Sequence, residues 1–229
     1  MKEKTTIPII NYCDSNTRKI VWPDDNQHLE IIISLFTECN LKCSFCGDRY
    51  RNLEKFSNQG LQIRLTNIKT VLQTIKPKSV IFKIFGGELF QDKFEDDVFE
   101  AYQSFINDLK DICNHYNVDC IIDVSSNCVW KKTDRVIKFL KDNDIAIRCS
   151  YDEYGRFTKP YQKKLFIDNV FKLKNSGIET SISAVLTKQM IDCITNKLGD
   201  FETFKLLYDN FPFAVDYYDN TSLLPETNN

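Results

Sequence analysis

Three cysteines carry the most specific chemistry in the chain. Cys39-Asn40-Leu41-Lys42-Cys43-Ser44-Phe45-Cys46 is a C-x3-C-x2-C triplet. A structural zinc site wants four ligands, commonly C-x2-C with a second pair. No fourth ligand lies close by, because His28 precedes the triplet and the next cysteine is Cys113. Three thiolates on one short loop match a [4Fe–4S] cluster with one iron left open, whereas four would make an electron-transfer centre. An open iron is a seat for a small chelating ligand. Cys39, Cys43 and Cys46 are therefore read as the metal-binding set.

A second group is charged. Lys83, Asp123, Arg148 and Asp216 each sit inside a short run of otherwise apolar or β-branched residues. A parallel strand covered on both faces reads as a nearly unbroken apolar run. Charges in four such runs point to a concave sheet face lining a polar, ligand-holding cavity. These four residues are candidates for catalysis. Only two histidines are present, His28 and His115, so acid–base work would fall to Asp, Glu, Lys, Tyr or Cys.

The elements that must position these groups alternate. Strands are expected over 29–36, 80–85, 120–125, 145–150, 178–186 and 213–217. Helices are expected over 66–76, 94–116, 133–141 and 162–176, with helical material between 190 and 208. Ile68, Val71, Leu72 and Ile75 share one helical face before Pro77 stops that helix, and Gly177 caps the fourth. Six repeats at roughly 30 residues per βαβ unit fit the span. They predict an α/β fold, a parallel sheet with helices outside. Six units are too few for a closed eight-stranded barrel, so a partial (βα)6 barrel is expected over 29–218. It would follow a leader, 1–28, with a hairpin around Asp14-Ser15-Asn16, and precede a frayed tail, 219–229.

Composition narrows the class. Across 229 residues, 30 Lys+Arg against 32 Asp+Glu give a formal charge of -2, which lacks the basic signature of a nucleic-acid binder. No apolar run approaches the roughly 20 residues of a membrane span, and the N-terminus lacks the apolar stretch of a signal peptide. Nine cysteines in a chain of this length argue against a disulfide framework and for a reducing cytoplasm. Cys13, Cys113, Cys120, Cys149 and Cys193 are scattered and read as small buried hydrophobes.

The triplet is followed at the next strand end by Phe85-Gly86-Gly87-Glu88. With that order of motifs, residues 29–218 resemble the radical S-adenosylmethionine (radical SAM) enzymes. The resemblance implies a partial (βα)6 barrel and one [4Fe–4S] cluster on Cys39, Cys43 and Cys46. S-adenosylmethionine (SAM) would chelate the open iron, and its reductive cleavage would yield a 5′-deoxyadenosyl radical that abstracts a substrate hydrogen. Glu88 would meet the SAM ammonium beside Gly86 and Gly87, whose lack of a side chain suits close backbone approach and positive φ. Ser126 and Asn127 would approach the SAM ribose or carboxylate, Ser150 and Asp152 the ribose hydroxyls, and Phe45 and Leu186 the adenine. Leu89 departs from the Pro usual after this Glu, and Cys128 from the Gly usual after Ser-Asn. Cys128, on that loop, is a further catalytic candidate, as hydrogen-atom donor or substrate ligand.

No cysteine group follows in the C-terminal part, so one cluster is expected, without the auxiliary-cluster extension of many relatives. The expected substrate is a peptide or an amino-acid side chain, with an external electron donor of the flavodoxin or ferredoxin type. Other readings are the same chemistry on a nucleotide, nucleotide-sugar or other small molecule, or activation of a glycyl-radical partner enzyme. A different class is a non-enzymatic metal-binding or electron-transfer module. Neither nucleic acid nor membrane is expected as a partner.

Overall fold

Alternation along each strand sets the architecture. In β2 (Ser79–Phe85), Val80, Phe82 and Ile84 are buried while Ile81 and Lys83 are not. The same period of two recurs in β3 (Asp119–Ser126) and β4 (Ala146–Tyr151), where Ile122, Val124, Ile147, Cys149 and Tyr151 are buried. One sheet face is therefore covered and the other is open.

The computed structural model describes residues 28–46, 54–152, 155–186, 188–197 and 199–217. The expected leader hairpin, Cys13 and the expected tail lie outside them. In chain order the elements are β1 (His28–Ser34), α1 (Asn58–Ile75), β2, α2 (Asp96–Tyr116), β3 and α3 (Thr133–Asp142). Then come β4, α4 (Pro160–Asn175), β5 (Thr180–Leu186), α5 (Lys188–Asn196), α6 (Phe201–Asn210) and β6 (Phe213–Tyr217). The six strands lie in the order β1-β2-β3-β4-β5-β6, each parallel to its neighbours. Parallel crossovers are almost always right-handed, so strands that always step the same way place every connecting helix on the same face. Among the described residues β1 and β6 do not pair. The result is an open, partial (βα)6 barrel, as the repeats predicted.

Leu72, Leu109, Leu140 and Leu173 come from four different helices, and all are fully buried under the covered face. The open face carries Glu30, Lys83, Asp123 and Arg148, together with Ile32, Ile81 and Ile121.

Two helices differ from expectation. α1 starts at Asn58, because the Ser57 hydroxyl accepts the Gly60 N–H at 3.1 Å and Leu61 and Leu65 extend the buried stripe of Ile68 and Leu72. The material between 190 and 208 is two helices. Lys197 and Gly199 both have positive φ there, and Asp200 caps α6 by accepting the Thr203 N–H at 3.1 Å.

Candidate functional site

The cysteine loop leaves β1 at the carboxyl end of the sheet, where (βα) folds place their sites. Neighbouring strand ends pin it. The Ser44 N–H donates to the Gly155 carbonyl at 2.8 Å, and Asn40 Nδ2 donates to the Val129 carbonyl at 2.7 Å. Asn127 Nδ2 donates to Asn40 Oδ1 at 2.8 Å and reaches Cys39 Sγ at 3.6 Å. Between the cysteines, the Cys46 N–H turns back to the Cys43 carbonyl at 3.3 Å.

Gly86 and Gly87 serve this loop. The Gly87 N–H donates to the Phe36 carbonyl at 2.9 Å, and the Glu88 N–H donates to the Glu38 carbonyl at 3.0 Å. A Cβ on Gly87 would stand 1.9 Å from the Glu38 carbonyl oxygen, and one on Gly86 would stand 3.0 Å from that of Phe36. Positive φ, the other expected reason for the pair, is absent: among the described glycines it occurs at Gly155, Gly177 and Gly199. The two glycines let one backbone lie directly against another.

Glu88 turns inward rather than to solvent and is 1% exposed. Its Oε1 accepts from the Phe90 N–H at 3.0 Å and from Ser126 Oγ at 2.8 Å, and its Oε2 accepts from the Asn127 N–H at 2.7 Å. Burial pushes its pKa up, against the pull of those three bonds. A buried carboxylate with three neutral donors keeps lone pairs for a cation. Glu88, Ser126 and Asn127, all named from sequence, thus form one cluster beside Cys39.

Asp152 completes the ledge from β4. It is buried, accepts from Arg156 Nε at 2.9 Å and Nη2 at 2.6 Å, and accepts the Val185 N–H at 2.9 Å. The Arg156 guanidinium lies 5.3 Å from the Phe45 ring centroid. Sequence reasoning missed Arg156, although its place four residues after Asp152 and next to Gly155 was a usable signal. Gly155 has φ +86, and a Cβ there would stand 2.1 Å from Ser44 Oγ.

Burial pushes the Cys39 thiol up to about 12. It also raises Cys43, where the Arg156 charge acts in the opposite direction. The Cys43 and Cys46 charges each act on Cys39, so the three thiols are neighbours. Among the described residues no three His, Cys, Asp or Glu side chains stand at metal-holding geometry. The donor set is nonetheless chemically suited to iron–sulfur ligation: three soft thiols on one loop, with an amide donor at one and a guanidinium near another.

Other expected residues fall differently. Ser150 lies on the open side of β4. Leu186 ends β5 and Asp216 pairs in register with Val185, but their side chains lie outside the described ones. Cys128 lies deeper than its place on the loop suggests. It is fully buried, and its thiol neighbours Cys149 and reaches the Ser126 carbonyl at 3.9 Å. Its φ of +54 explains why a Gly would suit that position. Lys83, Asp123 and Arg148 share the open face below the ledge. Lys83 Nζ pairs with Glu30 Oε2 at 2.7 Å, and Arg148 Nη2 pairs with Asp123 Oδ2 at 3.0 Å.

No family model and no curated protein matches the sequence. Solved structures do match. Native anSMEcpe with bound AdoMet (S-adenosylmethionine) is 15% identical with a TM-score of 0.56, covering 86% of this chain and 56% of that one. Native anSMEcpe with bound AdoMet and Kp18Cys peptide is 18% identical with a TM-score of 0.58, covering 82% and 51%. The shared feature is the fold. This chain spans about half the length of those structures.

Proposed function

We propose that the chain is a radical SAM enzyme. In this reading Cys39, Cys43 and Cys46 would hold a [4Fe–4S] cluster, and the strand ends around Glu88 and Asp152 would hold SAM. The observation that carries it is the convergence at Asn127. Its backbone N–H holds the buried Glu88 carboxylate at 2.7 Å, and its side-chain amide reaches Cys39 Sγ at 3.6 Å. One residue thereby links the expected ammonium acceptor to the expected metal ligands. The fold of an AdoMet-bound structure supports the same assignment.

When bound, the cluster and SAM would supply reductive cleavage to a 5′-deoxyadenosyl radical. The chain's own residues orient and shield. Glu88 would receive the SAM ammonium through lone pairs that Phe90, Ser126 and Asn127 leave available. Gly86 and Gly87 form the edge beside it, Ser150 and Asp152 would face the ribose, and Phe45 and the backbone at Leu186 would flank the adenine. Arg156 holds Asp152 in place and sets a positive charge near Cys43. Arg148, Lys83 and Asp123 line the open side where substrate would enter, and Asp216, on β6, is a further candidate there. A peptide substrate is supported by a matching structure that holds one, and the electron comes from a flavodoxin- or ferredoxin-type donor. No described helix is long and apolar enough to cross a membrane, and the cysteine usage favours the cytoplasm.

Anaerobic reconstitution tests this. We expect about four irons per chain and slow formation of 5′-deoxyadenosine from SAM by the reduced protein, abolished in Cys43→Ala. Zinc in place of iron, or undiminished product in that variant, overturns the proposal.

A further inference from the structure

The open face holds a guanidinium with one described hydrogen-bond partner. Arg148 gives Nη2 to Asp123 at 3.0 Å, while its Nε and Nη1 donate to no described residue. Its side chain keeps 29% exposure, so those donors are not sealed in the core. Register places Ser125 directly beside Arg148 on one side and Ser181 on the other. Adjacent strands lie about 4.8 Å apart, so the three side chains form a short row. The Ser125 and Ser181 hydroxyls make no hydrogen bond to a described residue. The row sits four positions before Asp152 along β4, about 13 Å below it at the rise of a strand.

We infer that Arg148, with the Ser125 and Ser181 hydroxyls, binds a carboxylate of the substrate on the open face beneath the cofactor ledge. The inference rests on the radical SAM reading, because it takes the open face as the substrate side. A guanidinium edge matches a planar carboxylate, and two flanking hydroxyls can donate to the same oxygens. The local charge favours a monoanion over a phosphate dianion. Glu30 and Asp123 balance Lys83 and Arg148, Glu179 adds a further negative charge acting on Asp123, and a second negative charge on the ligand would face these carboxylates directly. The carboxylate is that of an acidic side chain or of a chain terminus.

Ligand-observed NMR on the reconstituted holoenzyme with SAM separates these sources. The probes are N-acetylglutamate α-amide (side-chain carboxylate), N-acetylglutamine (terminal carboxylate) and N-acetylglutamine amide (neither), with inorganic phosphate as competitor. We expect at least one carboxylate probe to bind roughly tenfold or more tightly than the diamide, as a charge-assisted contact requires. Whichever binds better names the source. Arg148→Gln should erase that preference and Arg148→Lys restore part of it. Ser125→Ala combined with Ser181→Ala breaks no described hydrogen bond and should lower the preference several-fold. Equal binding of the diamide, displacement by phosphate better than by carboxylate, or a preference surviving Arg148→Gln overturns the subsite. Failure of the wild type to form 5′-deoxyadenosine from SAM, read from separate samples, overturns the cofactor reading instead.

Discussion

On the helix side of the sheet, Val80, Phe82, Ile84, Ile122, Val124 and Ile147 are all nearly inaccessible. On the other side of the same strands, Ile32, Ile81 and Ile121 are 51%, 37% and 60% exposed. Between them stand the Glu30–Lys83 and Asp123–Arg148 pairs. Both faces use β-branched residues, which suit the strand backbone wherever they point. Only one face converts them into a core. Hydrophobic stabilisation thus sits on the covered face, and the open face contributes little of it.

The contrast breaks most easily at Phe82. Phe82→Ala should cost about 3–5 kcal/mol, the range for emptying a buried aromatic site, whereas Ile121→Ala should stay within about 0.5 kcal/mol. Chemical denaturation of both variants measures this, and similar losses would mean that the open face is covered in solution.

A smaller effect is expected where the two regimes meet, at the carboxyl ends. Gly87→Ala drives a methyl group into the Glu38 carbonyl, so the cysteine loop must shift. We expect a loss of about 1–3 kcal/mol and a fall in iron content per chain after reconstitution. Destabilisation with unchanged iron content would separate the glycine pair from the cluster loop.

Local signals were legible and distant ones were not. The cysteine triplet, the Gly-Gly-Glu turn and the period-2 strands all show within a few residues. The four mid-strand charges could be assigned to one face because side chains alternate, and Lys83, Asp123 and Arg148 do share it. The reason for Gly87 was hidden because its obstacle, Glu38, belongs to another strand's loop. Cys128 stood as a candidate from its place after Asn127, and its full burial beside Cys149 shows only in the fold. Arg156 went unseen because its importance depends on Phe45 and Cys43, which only the fold brings near.

The subtlest test concerns Asp123, whose side chain is only 15% exposed. Burial raises its pKa above the ordinary 3.8, and the Arg148 and Lys83 charges only partly oppose this. A carboxyl group with a raised folded-state pKa contributes stability that is fully present below the unfolded pKa and lost as pH rises through the folded value. Asp123→Asn removes that titration while keeping the shape. The melting temperature of wild type minus that of Asp123→Asn should therefore fall between pH ~4 and pH ~7. Contributions from the other titrating groups largely cancel in the difference. A difference that rises with pH would mean that the Arg148 pair outweighs the cost of burying the carboxylate. The open face would then be held together by its charges rather than kept ready for a ligand's.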